Sequence, residues 1–215
     1  MTLPIAARAV NTRERILRTC LRLFNDQGAA TVSTNRLATE LDISPGNLYY
    51  HFKTKEQIVE QLVRRFEQRL APIQKSSPAI EAVDDFWLAL HFTFEAIHDY
   101  RFVFRDADYL ARTFPSARKR LQSIIAVSIA TTRAQCSTLA EAGILRVNAE
   151  ELQTLAFHIV FTATCWSVFA KLAADDVGDS ADTGRAAYQV LTLLTPYLNE
   201  ESRHYILYLR GKYRG

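Results

Sequence analysis

Cysteine is scarce in this chain: Cys20, Cys136 and Cys165 are odd in number and unclustered. They supply no disulfide framework, their spacing fits no zinc site, and core thiols in a reducing compartment are expected. Seven glycines and six prolines are few for an all-β protein and fall mostly at the ends of periodic segments, which favours an all-helical fold. No run of about 18 uncharged apolar residues occurs, and residues 1–10 lack the apolar stretch of a signal peptide. A cytoplasmic protein without membrane contact is therefore expected. Motifs are missing as well: there is no G-x-x-x-x-G-K, G-x-G-x-x-G, H-E-x-x-H or G-x-S-x-G. No catalytic residue can be nominated, no cofactor and no metal are expected, and an enzyme has no residue to rest on.

Net charge is small, +3, but unevenly placed. Residues 1–75 hold 12 Lys and Arg against 7 Asp and Glu; residues 76–215 hold 14 against 16. A basic front on a slightly acidic body suits a protein whose front meets phosphate, although solvated charges cluster by chance too.

The stretch Ser33–Phe52 gives that charge a purpose. It reads as two short helices joined by a tight turn. Ser33 or Thr34 caps the first, with Leu37, Ala38 and Leu41 as its apolar positions. Asp42 and Ile43 make the turn. Ser44 caps the second helix and Pro45 takes its first position, where a missing N–H costs nothing. Ile43, Leu48 and Phe52 face inward; Asn47, Tyr49, Tyr50 and His51 face out. A helix-turn-helix needs that division between a buried seam and a polar reading edge. Within it, Pro45, Gly46, Asn47 and Tyr49 are placed to meet base edges. Tyr50, His51, Lys53 and Lys55 are placed for phosphates, with Thr34, Asn35, Arg36 and Ser44 as further contacts.

These residues resemble the DNA-binding domain of the TetR family of bacterial transcriptional regulators. The matching residues run from a first helix, Thr12–Phe24, closed by Gly28, through Thr34-Asn35-Arg36-Leu37-Ala38 and Ile43 to Phe52, to Lys55-Glu56. Asp42 stands where members often carry Gly, and Asp tolerates the left-handed turn. The resemblance implies a DNA-binding domain over residues 1–56. It implies a helical effector-binding and dimerisation domain over 57–215, with dimerisation through the last two long helices.

The rest of the chain is compatible with that plan. Residues 1–10 read as a loose arm. Thr54 and Gln57 form a capping box opening a fourth helix with the stripe Ile58, Leu62, Val63, Phe66 and Leu70; Ser76-Ser77-Pro78 is the best boundary. A helix over 79–100 is apolar nearly all round and so central. Residues 100–110 form a short helix and Ser116–Ala142 a long one, ended by Gly143. Asn148 and Glu151 cap a helix to about Ala174 that carries two stripes. Leu152, Leu155, Ala156, Ile159, Val160 and Ala163 form one; Phe157, Phe161, Cys165, Val168 and Leu172 form the other. One stripe is core, the other needs a partner, and sequence does not choose. An acidic loop, 175–182, a helix over 183–198 and a basic tail of Arg210, Lys212 and Arg214 follow.

The leading expectation is a homodimeric repressor that leaves a palindromic double-stranded DNA operator when a small, largely hydrophobic effector binds. Candidate effector contacts are Trp87, His91, Phe94, His98, Phe104, Tyr109, Ser128, Thr132, Phe161, Cys165 and Trp166, aromatics with a few polar groups. Each also reads as core filling. The alternative is a DNA-binding protein of the same fold with a structural or cell-division role and no effector.

Overall fold

The structure, a computed structural model, describes residues 5–75, 82–173 and 179–212. Its helices are α1 (Ile5–Gln27), α2 (Thr34–Glu40), α3 (Pro45–His51), α4 (Lys55–Lys75), α5 (Val83–Asp99) and α6 (Phe102–Arg105). They continue with α7 (Ala107–Thr113), α8 (Pro115–Glu141), α9 (Ala149–Ala173), α10 (Asp179–Leu194) and α11 (Glu200–Lys212). Among the described residues the non-helical pairing is a single bridge, Leu145 with Leu198, and no helix is long and apolar enough to cross a membrane. The fold is all-α, a helix-turn-helix front followed by a larger helical body.

Local chemistry sets most boundaries. The Ser33 and Ser44 hydroxyls accept the Arg36 and Asn47 backbone N–H groups, both at 3.2 Å. Thr54 Oγ1 accepts from Gln57 N at 3.3 Å while Gln57 Oε1 accepts from Lys53 N at 2.8 Å, so the capping box is closed in both directions. Asn148 and Glu151 close another. Gly143, at φ +71°, ends α8, and Ile144 N returns to Leu139 O.

Several boundaries differ from expectation, among them the start of α5 at Val83 rather than 79 and the end of α10 at Leu194 rather than 198, followed by a 3-10 turn over Thr195–Tyr197. Helix α1 starts at Ile5, inside the expected arm, because Ile5-Ala6-Ala7-Arg8-Ala9 is made of helix formers and Asn11 does not stop them. Residues 100–110 form two helices, since Asp106 leaves helical geometry at φ −103° and ψ 17°. Helix α10 starts at Asp179, four residues early, taking in part of the expected acidic loop. The Ser76–Pro78 boundary, the start of that loop and Arg214 lie outside the described residues.

Two compact units emerge: residues up to Glu67 with Tyr100–Gln122, and Gln68–Asp99 with the residues from Ser123 onward. The packing division therefore differs from the 56/57 boundary, because early α4 and α6, α7 and early α8 pack with the helix-turn-helix. The core of the first unit holds Ile16, Leu17, Cys20, Phe24, Leu37, Leu48, Ile58, Leu62, Phe66 and Phe102. That of the second holds Phe86, Phe94, Leu155, Ile159, Val190 and Leu191. Cys20 and Cys136 are core thiols pushed up to about 12 by burial; Cys165 is exposed, on the uncovered side of α9, and is not a core thiol.

Candidate nucleic-acid interface

Helices α2 and α3 are each only seven residues long, too short to persist alone. They are held by buried Leu37, Ala38, Leu41, Leu48 and Phe52. The turn between them depends on Asp42, at φ +51°, which takes the left-handed conformation expected of it. Ile43 N then returns to Ala38 O at 3.0 Å.

The outer side is what the inner side leaves over. Asn35, Arg36, Ser44, Pro45, Gly46, Asn47, Tyr49, Tyr50 and Lys53 are exposed, whereas Thr34 and His51 are half-buried. Gly46 has an ordinary φ, and a Cβ built on it would meet only Ser44 Oγ, at 3.9 Å. The fold itself does not require glycine there; close approach by an outside partner would. The Tyr50 ring stands edge-on to His51 at 5.1 Å. The Arg13 guanidinium lies 4.7 Å over the Phe52 ring, at the end of α3. Burial, and then the nearby Arg13 charge, lower the His51 pKa below its ordinary value. Arg13 is thus tied to the end of the reading helix, which its place among the arginines of α1 did not single out.

Lys55, expected at a phosphate, has partners within the protein. Its ammonium donates to Ala29 O and, at 3.4 Å, to Tyr109 Oη, and it faces the rings of Phe24 and Tyr109 at 5.8 and 5.5 Å. It is half-buried, and desolvation lowers its pKa although Asp106 pulls the other way. The cause is a cluster with no local sequence signal. Arg105 donates to Phe24 O and Asn25 O, carbonyls at the open end of α1, and pairs with Asp106. Asp106 Oδ2 accepts Ala29 N–H at 2.6 Å. The only hint was a charged pair closing the aromatic run Tyr100–Phe104.

The candidate effector contacts are divided between the two units. Phe104 and Tyr109 belong to the first unit, where Phe104 packs edge-on to Phe66 at 5.6 Å and Tyr109 serves Lys55. Phe94 is buried in the second unit; Trp87, His91, His98, Ser128, Thr132 and Trp166 are half-buried there. Trp87 stacks on His91 at 5.6 Å, His91 Nε2 lies 3.4 Å from Glu95, and Ser128 accepts from Gln74 at 3.4 Å. The buried Trp166 Nε1–H has no acceptor among the described residues. Phe161 and Cys165 are exposed, because α9 turns its Leu155, Ala156, Ile159, Val160 and Ala163 stripe into the core. That answers which stripe is core: the Phe157–Phe161–Cys165 stripe is the one left uncovered. An open groove of about 400 Å³ lies nearby, lined by residues that include Thr154, His158, Leu193 and Tyr197.

Comparison with known proteins agrees with this geometry. The profile of the tetR family of bacterial regulatory proteins matches residues 16–62, and a second TetR profile, described as bacterial transcriptional repressor, matches residues 61–206. A TetR-family transcriptional regulator from Marinobacter aquaeolei VT8 superposes with a TM-score of 0.87 at 32% identity, covering 95% of this chain and 99% of that one. The ketosteroid transcriptional regulator KstR2 of Mycobacterium tuberculosis shares the fold at a TM-score of 0.64 and 19% identity, over 88% of this chain and 96% of that one. An HTH-type transcriptional regulator of Staphylococcus aureus is 39% identical over 57 residues, 26% of this chain, and the chain spans only 31% of that relative's length. One profile covering more than half of the chain, and a solved relative covering nearly all of it, place this protein in the TetR family of bacterial transcriptional regulators, which are DNA-binding regulators and not enzymes.

Proposed function

We propose that the protein is a cytoplasmic, homodimeric repressor that holds a palindromic operator through α3 and releases it when a small, largely hydrophobic effector binds the body. The observation that carries the DNA reading is Gly46: the second residue of α3, on the exposed side of a helix whose other side is buried, is a glycine that the fold itself does not need. Residues 1–56 serve as the reading head, and 57–215 serve effector binding and dimerisation. In a two-fold dimer the two α3 helices enter successive major grooves, about 34–36 Å apart. Pro45, Gly46, Asn47 and Tyr49 meet base edges; Tyr50, His51 and Lys53, with Thr34, Asn35, Arg36 and Ser44, meet the backbone.

The second copy covers the Phe157–Phe161 stripe of α9, with α10 beside it. The effector reading is supported by Trp166, whose buried N–H offers a hydrogen bond to an acceptor, and by the stack of Trp87 on His91 in the same unit. The hydrophobic compound class also agrees with the ketosteroid named for the M. tuberculosis regulator. Selection of bound duplexes from a random library, followed by anisotropy titration at fixed salt, tests the DNA reading: an enriched inverted repeat is expected. Enrichment of no sequence would overturn it. A body that binds no apolar compound, on an operator-binding dimer, would favour the structural role instead.

A further inference from the structure

We propose that Lys55 is a positioning residue for DNA recognition, the bolt of a clasp that closes the base of the helix-turn-helix, and not a phosphate contact. The inference rests on the DNA-binding reading above.

The geometry points there as follows. The reading segment, residues 34–51, hangs between two connections. Before it lies Ala29, fully buried and next to Gly28, whose φ of +94° ends α1. After it lies Lys55, the first residue of α4. The bond from Lys55 Nζ to Ala29 O ties these two points to each other, so both ends of the segment are held at one place. Asp106 takes the N–H of the same Ala29 residue at 2.6 Å, so its two backbone polar groups are fixed from two directions. Tyr109 supplies an oxygen and a ring face to the ammonium, and Phe24 a second ring face. An ammonium held by a carbonyl, a hydroxyl and two rings has its donors turned inward and is poorly placed to reach a phosphate. Releasing it lets the α1–α2 connection and the start of α4 move independently, and α3 loses its register against the groove.

A phosphate contact and a clasp predict different binding curves. A phosphate contact weakens all duplexes equally when removed and lowers the salt slope by about one unit. A clasp weakens the selected operator more than random duplex and leaves the salt slope alone. Lys55→Met is expected to weaken operator binding about 5–30-fold, to lower the ratio of operator to random affinity, and to keep the wild-type salt slope. Asp106→Asn should do the same, and the double variant should lose less than the product of the two single losses, since both act on Ala29. Lys53→Ala is the control that lowers the slope. A slope reduced by about one in Lys55→Met with an unchanged ratio, or Asp106→Asn without effect, would overturn the proposal. If Lys55→Met does not fold, amine labelling of the wild type decides. Equal labelling of Lys55 with and without operator supports the clasp, and protection of Lys55 by operator overturns it. A wild type that binds no duplex would sink the DNA reading, while rapid labelling of Lys55 in the free protein would separately show that no clasp is closed.

Discussion

Helices α3 and α9 both carry large side chains that the folded protomer leaves uncovered, but of different kinds. Tyr49 and Tyr50 on α3 are 43% and 73% exposed, end in hydroxyls, and stand among Asn47, His51 and Lys53. Phe157, Phe161 and Phe169 on α9 are 52%, 55% and 63% exposed and carry no polar atom. Phe157 and Phe161 stack with ring centroids 6.3 Å apart and planes 9° from parallel, a flat apolar strip along the helix. A surface of hydroxyls, amide and cations is stable in water and complementary to phosphates and base edges. A strip of phenyl rings is neither, and becomes favourable only under other apolar surface. Exposure alone therefore does not identify a partner; the polar atoms on the exposed rings do.

The sharpest way to break this contrast is to charge the strip. Phe161→Asp removes a large apolar contact from each side of a two-fold interface, about 2 kcal/mol per copy and so about 4 kcal/mol per dimer. That corresponds to about a thousandfold weaker dimerisation. Sedimentation velocity is expected to show a folded monomer, with operator affinity lost alongside. A variant still dimeric at micromolar concentration would move the interface elsewhere on the body.

The other side of α9 should answer differently. Ile159, 2% exposed in the core stripe, loses about 2–5 kcal/mol of folding stability on replacement by Ala, the range for a buried aliphatic truncated to a methyl. Thermal unfolding should shift down while the remaining folded protein assembles as before. If Ile159→Ala changed assembly and Phe161→Asp changed stability, the assignment of the two stripes would be reversed.

A smaller effect sharpens the α3 side. Gly46→Ala has room, since the new Cβ meets only Ser44 Oγ at 3.9 Å. Alanine is also the better helix former, by up to about 1 kcal/mol. Unfolding temperature should hold or rise. Operator affinity should fall by about 1–3 kcal/mol per half-site, the worth of a base-edge contact held at the wrong distance. A variant both as stable and as tightly bound as the wild type would show that the backbone at 46 does not approach DNA.

These contrasts also show where sequence stops being informative. Caps were legible because they are local: Ser44 with Asn47, Thr54 with Gln57 and Asn148 with Glu151 each lie within three residues. The helix-turn-helix was legible because its inner seam and outer edge alternate over so short a span. The choice between the stripes of α9 was not, because both are apolar and only packing in the second unit selects one. The internal partners of Lys55 were not legible for a related reason. A lysine beside the reading helix looks like a phosphate contact, and what turns it inward is Asp106 and Tyr109, more than fifty residues on, together with the carbonyl of Ala29.

The least effect is expected from His51, and it separates the polar edge of α3 from a merely exposed one. Burial and the Arg13 charge hold its folded pKa below the ordinary 6.5. The unfolded chain then binds the proton more readily, so the small stability contribution of neutral His51 is present above pH 6.5 and is lost as pH falls through the folded value. DNA acts with the opposite sign. A phosphate beside the ring favours the imidazolium, so binding takes up a proton and operator affinity should rise as pH falls from about 7.5 to about 5.5. The change should stay within about tenfold, since one proton per half-site is shared with a screened surface. Replacing His51 with Gln should flatten the dependence, and replacing Arg13 with Gln should move its midpoint upward. Anisotropy titrations at constant ionic strength across that range measure all three proteins. A wild-type affinity that does not respond to pH would take His51 off the phosphate and return it to packing against the first helix.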